Sequence, residues 1–204
     1  MTLSETTIDL IRHGVPEGGR RYRGHGCDDP LSELGWEQMW STVGAAAPWH
    51  AIVSSSMRRC RDFAEALGRR HGIQVSADER LREVGFGDWE GLTRTEVQAR
   101  DASEYDDFYR DPVNNRPRGA ESLEAFNARV VAALDDMVTE FAGRHLLVVA
   151  HAGVIRAVLG YVLEAPPRRW YRIRVDNGGL SRLRFGRHGG VLVAHNLRET
   201  PENR

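Results

Sequence analysis

The sequence predicts an α/β fold, a three-layer α/β/α sandwich in which a mostly parallel central sheet carries helices on both faces. Short apolar runs typical of strands alternate with segments whose apolar residues recur at helical spacing. One run, residues 146–150 (LLVVA), contains no polar residue, as expected of a central strand buried on both faces. With 204 residues, 41% of them hydrophobic and 28% charged, the chain has the size and composition of one globular domain spanning residues 1–204.

The first half of the chain alternates strands and helices. Three short apolar runs are predicted strands, at residues 7–11, 51–53 and 73–77. Ser32 is the expected N-cap of the first helix, which Pro48 stops. The second helix is expected from residue 57 to about residue 70, with Gly72 just past its end. This order favours crossover connections and hence parallel strands.

The second half of the chain contains a polar insertion and ends in segments that predict β-structure. Residues 94–119 are polar and predict two short helices at most, forming a lid-like insertion over the top of the sheet. The longest amphipathic helix follows at residues 123–141, and another is expected at residues 154–163, after the apolar strand. The chain then predicts a strand near Ile173 and a closing hairpin with glycine-containing turns.

The charge pattern and the cysteines exclude several classes of protein. A formal net charge of −1 gives no support to a nucleic-acid or membrane-surface binder. All 28 basic residues are arginines, which excludes Walker A loops, Schiff-base enzymes and lysine bases. Seven arginines near the C-terminus are expected on the solvated face of the hairpin or protecting its edge: Arg168, Arg169, Arg172, Arg174, Arg182, Arg184 and Arg187.

Two cysteines without CxxC spacing, Cys27 and Cys60, are typical of a reduced compartment rather than of a disulfide framework. The N-terminal residues do not read as a signal peptide, and no apolar run approaches the roughly 20 residues that span a membrane. We therefore expect a cytoplasmic protein.

Four chemistry-bearing features follow predicted strands. They are Arg12-His13-Gly14, Ser54-Ser55-Ser56 with Arg58-Arg59, Glu83, and His151-Ala152-Gly153. Because ligands of open α/β sheets bind outside the carboxyl ends of the strands, we expect these features to converge. Either histidine alone could be an ordinary core residue. Their shared placement beside arginines favours a catalytic role.

The chemistry that suits this set is phosphoryl transfer. A histidine nucleophile must be unprotonated, and arginines beside it favour that state while binding the phosphate dianion through planar paired donors. Glu83 could protonate the leaving oxygen and later deprotonate water. Gly14 would let backbone approach the phosphate closely, and N–H groups after His151, beginning with Ala152, could add anion donors.

Two of these assignments have competitors. Arg58 and Arg59 point about 100° apart on a helix, so only one can face the site, and we expect Arg59. Asp88 and Glu90 compete with Glu83 for the acid role. No histidine pair has the spacing of a metal-binding motif, so we expect no metal and no cofactor.

Four blocks in this order, LIRHG, VSSSMRRCRDFAEAL, LREVGFGDWEG and VVAHAGVIRAVLG, resemble the histidine phosphatase superfamily, in the branch that includes phosphoglycerate mutases. The resemblance implies a phosphoglycerate mutase-like fold and a metal-independent phosphomonoester hydrolase. It makes His13 the phosphorylated nucleophile and Glu83 the proton donor. Arg12, Arg59 and His151 would then bind the phosphate.

The sequence departs from the family pattern directly after Gly14. Val15-Pro16-Glu17 stands where the family usually has Glu or Gln followed by Thr, and Gly19 occupies the position of a phosphate-contacting Asn. Three nearby arginines are therefore candidate substrate-binding residues that could replace the missing contacts: Arg20, Arg21 and Arg23.

Two stretches, residues 18–39 and 119–126, resemble bacterial α-ribazole phosphatases, which act late in cobalamin synthesis. A small-molecule phosphomonoester is the expected substrate, with no nucleic-acid or membrane partner, and the oligomeric state stays open. Two alternatives remain at this point. One is a phosphoglycerate mutase-type phosphoryl transferase, and the other is a phosphate-binding module that has lost catalysis.

Overall fold

The computed structural model describes residues 5–45 and 47–201. One six-stranded sheet runs through it, with strands β1 Thr6–Arg12, β2 Ala51–Ser55, β3 Val75–Asp78, β4 His145–Ala150, β5 Leu180–Gly186 and β6 Gly189–Leu197. The strand order is β3-β2-β4-β1-β5-β6. Strands β3, β2, β4 and β1 are parallel, whereas β5 and β6 are antiparallel to their neighbours. The prediction of a mostly parallel sheet is confirmed.

The described residues also form six α-helices: α1 Glu33–Val43, α2 Arg58–His71, α3 Arg94–Arg100, α4 Ala102–Arg110, α5 Leu123–Glu140 and α6 Ala152–Val162. Alternate strand residues supply two separate cores. Leu10 and Val148 pack with α5 and α6, whereas Ile11 and Val149 face α1 and α2. Helices therefore cover both faces. Strand β4 lies inside the sheet, and its residues 146–150 are apolar and buried, as predicted.

The helix ends follow their capping residues. The Ser32 side chain accepts a hydrogen bond from the Gly35 N–H, and Gly72 ends α2 in the left-handed conformation, as predicted. The first helix ends at Gly44, with φ 63°, and not at Pro48. A glycine that readily takes positive φ stops the helix before the proline is reached.

Two strand predictions need correction. The third strand is Val75–Asp78, two residues later than the start of the predicted run. No strand forms near Ile173, because Pro166 and Pro167 start a 3₁₀ helix over Pro167–Arg172, and the Ile173 N–H caps it by donating to Trp170. The closing hairpin is present as β5 and β6.

The prediction that Arg182 lies on the solvated face of the hairpin or protects its edge is wrong. Asp9 on β1 pairs in register with Arg182 on β5, and both side chains are buried. Nε of Arg182 lies 2.7 Å from Oδ1 of Asp9, and the same carboxylate accepts hydrogen bonds from Trp49 and His145. A buried carboxylate requires such partners, which explains why this arginine points inward.

The polar middle segment forms α3 and α4, in agreement with two short helices. Thr93 and Glu96 form a capping box at the start of α3. Phe108 of α4 is buried among aromatic residues, and Tyr109 reaches the cavity described below. Within residues 5–45 and 47–201, no helix combines the length and apolarity needed to cross a membrane.

Candidate active site

The carboxyl ends of β1, β2 and β4 open into a cavity of about 480 Å³. The strand-end features come together there: Arg12, His13, Arg59, Glu83 and Ala152 all line it. Eight arginines but only two carboxylates contribute to the lining. So large an excess of positive over negative side chains predicts an anionic ligand.

The His13 ring has a defined protonation pattern. Its Nδ1 lies 2.7 Å from the Gly14 carbonyl oxygen, which can only accept, so Nδ1 carries the proton and Nε2 has the free lone pair. Burial, followed by the charges of Arg59 and Arg12, holds the pKa of His13 well below 6.5. The imidazole is therefore neutral at physiological pH, with one nitrogen available for attack.

Arg12 combines burial with an unused donor. Its Nη1 donates to the Val175 carbonyl at 2.7 Å, while the buried Nε has no hydrogen-bond partner among the described residues. Burial lowers the pKa of Arg12 to about 10, and the charge of Glu83 partly opposes this. The guanidinium stays charged at neutral pH, and a buried donor without an acceptor is costly unless a ligand supplies one.

His151 lies directly behind His13, with ring centroids 5.2 Å apart. Arg59 can only donate, so its 3.3 Å contact makes His151 Nδ1 the acceptor, and Nε2 must then donate to Ser55 Oγ at 2.8 Å. Burial, followed by the charges of Arg59 and His13, keeps the pKa of His151 well below 6.5. In this arrangement the only ring proton is directed to Ser55, so a hydrogen bond from His151 to a phosphate requires the ring to gain a second proton or to release Ser55.

Arg59 is the arginine of its pair that faces the cavity. It is 1% exposed, and it also donates to the carbonyls of Gly24 and Cys27. Arg58 is half exposed and pairs with Asp62 on the surface of α2. The 100° separation of neighbouring helix positions explains the difference.

Glu83 lies in the segment between two 3₁₀ turns and reaches the first turn of α6. Its carboxylate accepts a hydrogen bond from the Gly153 N–H, at 3.1 Å and 3.3 Å for the two oxygens, and another from Val84. The first N–H groups of a helix lack internal acceptors, so a carboxylate is well placed there. Of its competitors, Glu90 accepts from Phe86, and Asp88 pairs with Arg118 on the surface.

The three loop arginines differ in their contacts. Arg23 is buried and pairs with Asp29 at 2.8 Å. Arg21 donates to the carbonyls of Gly18 and Gly91. Arg20 lines the cavity and has no hydrogen bond or ion pair with any residue that the structure describes.

Gly14 has a steric role. A Cβ at this position would lie 2.1 Å from the Gly35 carbonyl oxygen, so only glycine lets the first turn of α1 pack here. Gly14 is not among the cavity-lining residues. Its predicted contact with phosphate is separate from this packing and stays a prediction.

Four residues that line the cavity were not predicted from the sequence: Tyr22, Tyr109, Tyr171 and Arg156. The hydroxyls of Tyr22 and Tyr109 are hydrogen-bonded at 2.9 Å, which joins the arginine loop to α4. One available signal was helical spacing, because Arg156 follows Ala152 by four residues and shares its face of α6. Within the described parts of the chain, no group of three or more His, Cys, Asp or Glu side chains is arranged to hold a metal.

Comparisons with known proteins show the family of the chain. The family model for the histidine phosphatase superfamily (branch 1) matches residues 8–198. A glucosyl-3-phosphoglycerate phosphatase of Mycolicibacterium vanbaalenii is 38% identical over 172 residues, covering 79% of this chain and 76% of that protein. An adenosylcobalamin/alpha-ribazole phosphatase of Salmonella typhimurium is 28% identical over 173 residues, covering 83% and 85%.

A solved structure of a mycobacterial glucosyl-3-phosphoglycerate phosphatase with VO3 superposes with a TM-score of 0.82 at 31% identity. The match covers 93% of this chain and 98% of that chain. The chain spans about half the length, 52%, of the first curated relatives it matches, which are mycobacterial proteins 35% identical over 197 residues.

Proposed function

The chain belongs to the histidine phosphatase superfamily, and we propose that it hydrolyses small phosphomonoesters through a phosphohistidine on His13. One observation carries the proposal. His13 is neutral, its Nδ1 proton is held by the Gly14 carbonyl, and its free Nε2 shares a cavity with Arg12 and Arg59. The cavity thus holds both a nucleophile and the cations that would bind the phosphoryl group it attacks.

In the first step Nε2 of His13 attacks phosphorus, and the bond from phosphorus to the ester oxygen breaks. Glu83, in its protonated form, gives its proton to the departing oxygen. Water then attacks the phosphohistidine, Glu83 takes a proton from that water, and the bond from Nε2 to phosphorus breaks to release phosphate. Arg12 and Arg59 stabilise the charge on the phosphoryl oxygens in both steps.

The positive charge that this reaction needs comes from arginines of the chain itself. We therefore expect activity that survives treatment with a chelator, and loss of activity on chelation would contradict that part of the proposal.

Two named substrates deserve direct assay. The α-ribazole assignment is supported by the resemblance of residues 18–39 and by the Salmonella relative. Glucosyl-3-phosphoglycerate is supported by the Mycolicibacterium relative and the similar solved structure. A cavity of about 480 Å³ has room for a leaving group of either size.

The test is phosphate release from a panel containing both substrates, simple sugar phosphates and p-nitrophenyl phosphate. We expect turnover that His13→Ala abolishes and that the surface variant Arg187→Gln retains. Transfer of the phosphoryl group between phosphoglycerate positions without phosphate release would instead establish a mutase. Tight phosphate binding without turnover of any substrate would establish a binding module.

A further inference from the structure

The cavity holds more arginine than one phosphate requires. Arg12 and Arg59 are assigned to the phosphoryl group above. Four others are occupied by partners within the chain: Arg21, Arg23, Arg174 and Arg198. Among residues 5–45 and 47–201, Arg20 has no hydrogen bond or ion pair, and Arg156 is bonded through its Nε alone and has no carboxylate partner.

The Arg156 guanidinium is fixed by the fold. Its Nε donates to the Ile173 carbonyl at 3.0 Å, and its central carbon lies 5.3 Å from the Tyr171 ring centroid. Neither terminal nitrogen of Arg156 has a hydrogen-bond partner among the described residues. A guanidinium held by its Nε and by an aromatic face presents a planar pair of donors suited to a carboxylate or phosphate.

Arg20 supplies a second cation to the cavity lining, from the loop after β1. It follows Gly18 and Gly19, both with φ near 70°, on the loop where the family pattern lapses. The positive charges of Arg156 and Arg20 both lower the pKa of Arg12, so each of them interacts electrostatically with the Arg12 guanidinium. Positive charges that repel one another in this way favour the binding of an anion among them.

We propose that Arg156 and Arg20 form a second anion-binding subsite beside the phosphate, so that the preferred substrate is a phosphomonoester bearing a second anionic group. A carboxylate and a further phosphate share this chemistry. The inference rests on the proposed function, because it concerns the leaving-group side of the same cavity. It favours a glycerate-type leaving group over a nucleoside such as α-ribazole, which carries no second anion.

Matched substrates test the subsite. 3-Phosphoglycerate and glycerol phosphate, both racemic, differ only by a carboxylate in place of a hydroxymethyl group. Glucose 1,6-bisphosphate against glucose 6-phosphate tests a second phosphate in the same way. The readout is the ratio of kcat/KM within each pair, because the ratio cancels changes in the step common to both substrates.

We expect the wild type to prefer the charged member of at least one pair, and Arg156→Gln to lower that ratio roughly 10- to 100-fold, the usual effect of a lost charge-assisted hydrogen bond. Arg20→Gln, on an exposed loop where misfolding is not expected, should lower it in the same direction. Arg187→Gln, on the distant β5–β6 turn, is the matched control and should keep the wild-type ratio.

The outcomes separate the two proposals. Equal kcat/KM for both members of each pair, with phosphate released, overturns the subsite and leaves the phosphatase in place. A preference that survives both substitutions also overturns it. Absence of phosphate release from every substrate, p-nitrophenyl phosphate included, overturns the proposed function and the subsite together.

Discussion

Gly153 offers a direct way to move the proposed acid without altering it. An added Cβ at this position would lie 2.2 Å from Oε1 of Glu83 and 3.3 Å from the Phe126 ring. Ordinary contact begins near 3.4 Å, so the Glu83 carboxylate must retreat by about 1 Å and lose its hydrogen bonds from the Gly153 N–H. Gly153→Ala should therefore displace the carboxylate while leaving it chemically intact.

The size of the effect follows from the geometry. Misplacement of a catalytic group by about 1 Å can cost roughly 100-fold in rate, and a general acid contributes roughly 10²- to 10⁴-fold. The loss should appear with alkyl phosphates, whose alkoxide leaving groups need a proton. It should nearly vanish with p-nitrophenyl phosphate, whose phenolate leaves unprotonated. The fold should tolerate the change, because the atom that must move most is the end of the flexible Glu83 side chain.

The assay is kcat/KM for an alkyl and an aryl phosphate, compared among the wild type, Gly153→Ala and Glu83→Gln. Gly186→Ala is a suitable control, because among the described residues its new Cβ would meet Glu5 alone, at an ordinary 3.7 Å. If Gly153→Ala leaves the ratio of alkyl to aryl turnover unchanged while Glu83→Gln alters it, the displacement reasoning is wrong. If neither variant alters the ratio, Glu83 is not the acid.

Four further predictions concern β1 and the two residues that follow it. Asp9→Asn should lower the free energy of unfolding in urea by about 3–5 kcal/mol, because it removes a buried carboxylate that pairs with the buried Arg182, and a loss below about 1 kcal/mol would refute this. Burial raises the pKa of Asp9, but hydrogen bonds and charges from Arg182 and His145 outweigh it, so the pKa in the folded state is lowered. The stabilisation by Asp9 is therefore fully present above the unfolded-state pKa of about 4, and it is lost as the pH falls through the lower pKa of the folded state. An NMR titration of the His13 ring should give a midpoint well below 6.5, since burial and nearby arginines disfavour its protonated form, and a midpoint at or above 6.5 would contradict the neutral nucleophile. Gly14→Ala should destabilise the fold by about 1–3 kcal/mol in thermal unfolding, because its Cβ would meet a backbone oxygen of α1, and wild-type stability would show that α1 can shift.

Local signals predicted the elements that carry the site. The unbroken apolar run at β4, the caps at Ser32 and Gly72 and the spacing along α5 depend on neighbouring residues, and each formed as expected. The convergence of Arg12, His13, Arg59 and Glu83 followed from one rule about strand ends in parallel sheets.

Features that depend on distant partners could not be predicted. Arg182 points inward because its partner Asp9 lies 173 positions away, and nothing near Arg182 in the sequence indicates that carboxylate. Arg156 reaches the cavity because the 3₁₀ helix at Pro167–Arg172 brings Tyr171 and the Ile173 carbonyl beneath it. That helix forms where alternating residues had predicted a strand.

The role of His13 as the nucleophile is tested most directly by rapid-quench trapping with a ³²P-labelled phosphomonoester. The protein should acquire label that is labile in acid and stable in alkali, as a phosphohistidine is, and peptide mapping should place it on His13. The His13→Ala variant should acquire none. Label on another residue, or full turnover by His13→Ala, would contradict His13 as the nucleophile.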